Sequence, residues 1–286
     1  MERYFSLGRL IRTISKDRNI HSYFADLKDV AITFQESHKT NIISTTILSR
    51  ALVSVVLLSG NLKNDSDILS MEWKSTGPVK NIFVEVKGNG LVRGYIEERA
   101  LNLIDGTIIN GTLLAEKYIG LGEIVTKRYS QNGRPYNSIT LIETGEIAED
   151  VAIYLNQSLQ IDSTINIGSS INGKNEVESL GGILVMAMPN TTKDDIDKIY
   201  NTFLNIESMT SILKNGKIDE LVSEYSKELN LEILDEKKIS FNCSCNYDKI
   251  NNLIKSFNDE DIGTLLNEEG KIEVACQFCG KIYTLN

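Results

Sequence analysis

Four cysteines carry the clearest chemistry in this 286-residue chain, and all of them lie between Cys243 and Cys279. Phe241-Asn242-Cys243-Ser244-Cys245-Asn246 holds a Cys-x-Cys pair, and Ala275-Cys276-Gln277-Phe278-Cys279-Gly280 holds a Cys-x-x-Cys pair thirty residues further on. A thioredoxin-like Cys-x-x-Cys sits at a helix start, whereas Lys281-Ile282-Tyr283-Thr284-Leu285 reads as a strand, so a knuckle between two strands fits better. Two close pairs of thiolates can supply a tetrahedral site for one Zn2+ per chain, with Cys243, Cys245, Cys276 and Cys279 as its ligands. His21 and His38 lie far off in polar N-terminal sequence and read as surface histidines.

Such a site can do one of two things. It can staple a small domain, or it can act as a redox switch, because an oxidised thiolate forms a sulfenic acid that a neighbouring thiolate condenses with. Each pair holds its own resolving partner. The elements around the cysteines leave much of the folding to the metal. Ile250, Leu253, Ile254 and Phe257 keep helical spacing, and Asn258 and Asp261 stand in a capping relation to a second helix with Ile262, Leu265 and Leu266. Fewer than fifty residues follow Ser240, a size that usually needs a metal, disulfides or a partner to hold a fold.

Upstream, Ile43, Ile47, Ala51, Val55 and Leu58 predict a helix over 41–61 with one buried face. Leu69, Met71 and Trp73 alternate with polar residues, as do Ile82, Val84 and Val86 up to the turn Lys87-Gly88-Asn89-Gly90 and a returning strand over 91–96. Ile124 to Tyr129 and Tyr136 to Ile142 make a second hairpin. Thr144 is placed to cap the helix that carries Ile147, Val151, Tyr154 and Leu155, and strands follow around Ile165–Ile171 and Ile183–Met188. Hairpins interrupted by helices predict an α+β core domain over 1–189 with a largely antiparallel sheet. Residues 190–239 read as a charged helical linker. Ten acids face five lysines from Asn190 to Asp235, yet Ile196, Ile199, Tyr200, Phe203 and Leu204, then Leu221, Val222, Tyr225 and Leu229, keep helical stripes. Residues 240–286 form the small zinc-binding domain.

Composition narrows the function. Thirty basic residues against 39 acidic ones give a net charge of −9, and residues 240–286 carry four lysines against seven acids, so nucleic acid is not an expected partner. No run approaches the roughly 18 apolar residues of a membrane span, and the N-terminus lacks the apolar segment of a signal peptide, so a cytoplasmic protein without a membrane partner is expected. Gly88-x-Gly90 is a hairpin turn and not a phosphate loop, and no nucleophile–base pair suggests an enzyme. A dithiol oxidoreductase and a zinc-ribbon adaptor are the alternatives.

The two cysteine pairs in a C-terminal tail resemble the 33 kDa heat-shock-protein family of redox-regulated bacterial chaperones. Ser49-Arg50-Ala51-Leu52, Gly77-Pro78-Val79-Lys80, Val92-Arg93-Gly94-Tyr95, Gly145-Glu146-Ile147-Ala148-Glu149-Asp150 and Gly181-Gly182-Ile183-Leu184-Val185 are similar to that family's core segments, in order along the chain. Met186 stands where a glutamine is expected. The resemblance implies an ATP-independent holdase, inactive while reduced and zinc-bound, whose zinc domain and linker cover a surface for unfolding client proteins. It implies that oxidation releases the zinc, pairs Cys243 with Cys245 and Cys276 with Cys279, unfolds the linker and yields an active homodimer. The Cys243–Cys245 ring is very small and so strained, which predicts that Cys276–Cys279 forms first. Helix 41–61, the stripes at Tyr200 and Phe203 and the sheet beneath them are the expected covered surface, and Phe203→Glu is expected to loosen the linker.

Overall fold

Alternation turns Ile82, Val84 and Val86 to one side of a sheet, onto a helix whose start is fixed by Asn41. The Asn41 side chain accepts the Ser44 amide at 3.0 Å and so satisfies one of the donors that a helix start leaves unpaired. The computed structural model describes residues 7–15, 17, 19–109, 112–131, 133–204, 208–257, 262 and 270–285, with the side chains of 203 and 204 outside that description.

The chain opens with β1 (Gly8–Ser15), β2 (Ile20–Asp26), α1 (Lys28–His38) and α2 (Ile42–Ser59). A meander of β3 (Ile68–Ser75), β4 (Asn81–Lys87) and β5 (Leu91–Ile96) follows. A short ladder of β6 (Ile108–Ile109) and β7 (Thr112–Leu113) and the single turn α3 (Glu116–Ile119) lead into the hairpin of β8 (Gly122–Tyr129) and β9 (Tyr136–Leu141). Then come α4 (Ile147–Leu159), β10 (Ser163–Ile171) and β11 (Val177–Ala187), and after them α5 (Lys193–Leu204), α6 (Met209–Lys214), α7 (Ile218–Glu228) and β12 (Glu232–Phe241). The chain continues through α8 (Tyr247–Ile254), β13 (Ile272–Ala275) and β14 (Ile282–Leu285). The second helix expected around Ile262, Leu265 and Leu266, with its capping pair Asn258 and Asp261, lies outside the described residues except for Ile262.

The fold is α+β, as the hairpin pattern predicts. One ten-stranded sheet runs β10-β11-β2-β1-β12-β5-β4-β3-β8-β9, antiparallel throughout except where β12 lies parallel to β5. That exception joins two five-stranded halves through two register pairs, Ser240 with Leu91 and Phe241 with Val92, whereas β12 pairs with β1 over seven. The last residues of the expected linker, 232–239, are therefore strand. Their charges fit this setting because Arg12 meets Asp235 at 2.9 Å across the β1–β12 ladder.

Both halves curl over α2, whose residues share one core cluster with Tyr23, Ala25 and Leu184 of one half and Met71, Trp73 and Val84 of the other. The expectation of one buried face is thus corrected: fifteen of its eighteen residues are buried, Ser44, Ser54 and Ser59 among them. Those hydroxyls donate to the carbonyls of Glu98, Arg50 and Val56, which lets polar side chains sit there. By length and composition α2 could cross a membrane, with a mean hydropathy of 1.9, but 83 % of it is buried in this core.

Two segments quoted for the family resemblance meet here. Arg50 Nη1 lies 2.9 Å from Glu146 Oε2 and Nη2 donates to Leu113 O, while Glu146 Oε1 accepts the Ala115 amide at 2.6 Å. Arg50→Met leaves that carboxylate half-buried without its cation and is expected to cost about 3 kcal/mol in urea unfolding; a midpoint within error of the wild-type value would refute this. Thr144 does not cap α4. Asp150, from inside the helix, accepts the amides of Glu143, Thr144 and Gly145 at 3.1, 2.9 and 3.0 Å, and the Thr144 hydroxyl takes the Glu146 amide.

The linker helices lie on the opposite face of the first half-sheet. Ile199, Met209, Ile212, Leu221, Val222 and Tyr225 pack on Ile11, Ile20, Phe24, Ile183 and Val185. Tyr200 is 42 % exposed and Ile199 is the buried neighbour. The side chain of Phe203 is outside the described residues. Helix α2 is interior and not part of this covered face.

Candidate metal centre

Strand β12 delivers the first cysteine pair. Phe241 packs edge-on to Phe34 of α1 at 5.1 Å, and the Asn242 amide donates to Val92 O at 2.9 Å, so Cys243 leaves the sheet from a fixed point. After Cys245 the Asn246 side chain caps α8 by accepting the Lys249 amide, and Lys249 Nζ reaches back to Ser244 O at 2.7 Å. The second pair sits between β13 and β14, as its spacing predicts. The Cys276 amide donates to Lys281 O at 2.9 Å and the Gly280 amide to Cys276 O at 2.8 Å, closing the knuckle.

All four predicted cysteines converge. Their sulfurs lie within 4.8 Å of one another, with Cys243 and Cys276 at 3.7 Å and Cys245 and Cys279 at 3.3 Å. All are free thiols, three half-buried and Cys276 buried. Tetrahedral zinc–thiolate bonds of about 2.3 Å place sulfurs about 3.8 Å apart, so this donor set could hold a metal ion after small adjustments. The local core is small: Ile254, Ile272 and Leu285, with Ile250, Ile262 and Val274 against it.

The sulfurs are not equivalent. Burial pushes the Cys245 thiol up, but the Tyr283 hydroxyl at 3.1 Å and the neighbouring thiols outweigh it and bring it down to about 7. Burial pushes Cys243 up to about 11 and raises Cys279 further. Hydrogen bonding to Cys245 raises Tyr283 in turn, since a donated proton is held more firmly.

Four functional neighbours were not legible in the sequence. One is Tyr283; the others tie the knuckle to the core. His38 is fully buried, not a surface residue. Its Nδ1 faces Phe34 O at 2.8 Å and its Nε2 faces Gln277 O at 3.1 Å, inside the Cys-x-x-Cys loop. Burial lowers the His38 pKa, and a neutral ring donates through one nitrogen only. Gly280 takes φ +66°, and a side chain there would run into Ser37 O. Phe278 packs on Phe83, Tyr95 and Arg93. The aromatic residue inside the Cys-x-x-Cys pair was the available signal for the last contact. His21 is half-buried beside the Tyr23 hydroxyl at 3.3 Å.

The profile of the family described as Hsp33 protein matches residues 8–286. The chain belongs to the Hsp33 family. A 33 kDa chaperonin from Agathobacter rectalis is similar at 28 % identity, over 96 % of this chain and 95 % of its own. One from Streptococcus equi subsp. zooepidemicus is similar at 29 %, over 97 % and 95 %. The crystal structure of a 33 kDa chaperonin, a heat shock protein 33 homolog from Thermotoga maritima, superposes with a TM-score of 0.83 at 22 % identity, covering 98 % of this chain and 94 % of that one. At that identity it speaks for the fold alone. The Hsp33 family is a chaperone family, which agrees with the segments at Arg50, Arg93 and Glu146 and with the cysteine quartet.

Proposed function

We propose that this Hsp33 protein is a redox-regulated, ATP-independent holdase and not an enzyme, with one Zn2+ held by Cys243, Cys245, Cys276 and Cys279 in its reduced state. The convergence of four thiols on a segment that is itself seated against the core carries this reading. A bound Zn2+ would keep all four sulfurs as thiolates. Peroxide oxidises one thiolate to a sulfenic acid, releasing hydroxide, and a neighbouring thiolate displaces a second hydroxide to form the disulfide. The proposed products are Cys243–Cys245 and Cys276–Cys279, the latter first. Loss of the metal frees the 240–286 domain, the 190–239 linker follows it off the 1–189 core, and the apolar sheet face becomes available to unfolding clients. The oxidised form is a cytoplasmic homodimer that binds proteins and neither nucleic acid nor membranes, in keeping with the charge of −9.

Light scattering from a heat-unfolding client tests this directly. Protein oxidised by peroxide under mild heat is expected to suppress aggregation, and metal-loaded reduced protein is expected not to, with reductant restoring the inactive state. Equal behaviour of the two forms would leave the metal as a structural staple and overturn the switch.

A further inference from the structure

Phe278 stands one residue before Cys279, yet its ring is engaged by the core and not by the metal site. It meets Phe83 at 5.8 Å and 66° and Tyr95 at 5.6 Å and 70°, both edge-to-face, and the Arg93 guanidinium carbon lies 4.4 Å from its centroid. These are the favoured geometries for an aromatic ring and for a cation over its face. The three partners lie on the face of β4 and β5 opposite to inward-facing Ile82, Val84 and Val92.

The cradle is organised without the knuckle. Phe83 and Tyr95 are cross-strand partners stacked at 5.8 Å and 18°, and Arg93 donates to Glu85 Oε1 at 2.8 Å from the next outward-facing register pair. Its shape therefore depends on the β4–β5 hairpin, which is anchored in the main core. The occupant depends on the metal loop. The cradle also lies on the second half-sheet, away from the face of β1, β2 and β11 that the linker helices cover.

We propose that Phe83, Tyr95 and Arg93 form a receptor for a single aromatic side chain, filled in the metal-loaded state by the chain's own Phe278 and passed to an aromatic residue of an unfolded client when the knuckle lets go. The chemistry of the present occupant defines the ligand: a phenyl or phenol ring in an extended segment. The client half of this inference rests on the chaperone reading; the latch half does not.

The probe is a fluorescein-labelled peptide copying residues 275–281 with serine at both cysteine positions, and its twin with Ala in place of Phe. Fluorescence anisotropy is read on full-length protein. Pre-oxidised wild type is expected to bind the Phe peptide at least about fivefold tighter than the Ala twin. Metal-loaded wild type is expected to bind neither. Metal-loaded Phe278→Ala, checked to retain one metal per chain, is expected to bind the Phe peptide, and oxidised Phe83→Ala and Arg93→Ala to lose it. A chelator assay adds a second readout: Phe278→Ala should release its metal to peroxide several-fold faster than wild type.

Equal binding of the two peptides by oxidised protein overturns the receptor. Metal release from Phe278→Ala at the wild-type rate overturns the latch. If the oxidised protein binds the Phe peptide but does not suppress client aggregation, the receptor stands and the chaperone reading fails, so the two can be told apart.

Discussion

Stripping the metal with a chelator is expected to unfold residues 240–285 while leaving the α2 core intact. The described apolar cluster of that segment consists of Ile254, Ile272 and Leu285 with three half-buried neighbours, too little to offset the conformational entropy of its 35 described residues. Structural zinc contributes on the order of 10 to 16 kcal/mol of apparent binding free energy, as much as the roughly 5 to 15 kcal/mol that stabilises a whole domain. The effect should travel into the sheet. The halves are joined by Ser240 opposite Leu91 and Phe241 opposite Val92, two residues before the first cysteine, and the Ser240 and Asn242 amides bond Gly90 O and Val92 O. In hydrogen exchange, protection of 240–257 and 270–285 should collapse, including those two amides, while α2, β3 and β4 keep theirs. Protection of β13 and β14 that survives chelation would show that the segment folds without metal, and the switch would lose its physical basis.

The site was more legible than the fold around it because metal chemistry needs nearby thiols, and Cys-x-Cys and Cys-x-x-Cys put two of each pair within one turn of chain. Partners contributed by distant segments leave no such spacing. His38 is 239 positions from Gln277, and its burial follows from the packing of α1 beneath the knuckle. The hairpins of β3, β4 and β5 were readable since one face meets the core and the other does not, which produces alternation. Strands β1 and β2 escaped notice because both of their faces are covered. Tyr23 and Ala25 point to the α2 core and Phe24 to the linker helices, so a run replaces the alternating pattern. Helix α2 shows the same effect in helical form: wrapped by two half-sheets, it buries residues all round where the stripe alone predicts one face. Strand β12 was hidden by its charges, which suit an exposed helix equally well and are placed in a strand by ladder partners 218 to 231 residues away.

Tyr225→Glu is expected to switch the protein on without oxidation. Tyr225 is 3 % exposed and packs edge-to-face on Phe24 at 6.2 Å and 79°, at the centre of the contact between α7 and the outer face of β1, β2 and β11. A carboxylate there loses its hydration without gaining a cation, a cost of several kcal/mol, and the ring contact goes with it. Besides the apolar contacts of Leu221 and Val222, what remains to hold α7 is weak. Arg9 to Asp219 at 2.6 Å and Lys214 to Glu178 at 2.7 Å are surface pairs, screened by solvent. The helices should therefore lift off and uncover Ile11, Ile20, Phe24, Ile183 and Val185, an apolar face of the kind that captures unfolding chains. The metal centre is seated away from that face, through His38 and Phe34 of α1 and through the Phe278 cradle on the other half-sheet, so it should stay loaded. The decisive measurement is aggregation suppression by the reduced variant at one metal per chain, with exchange of the α7 amides read in parallel. Fast exchange with no suppression would mean that the face under α7 is not where clients bind, and would move the client surface to the half-sheet beneath the knuckle. Suppression with the metal retained would show that lifting the linker is enough, without metal release, to uncover a surface that holds clients.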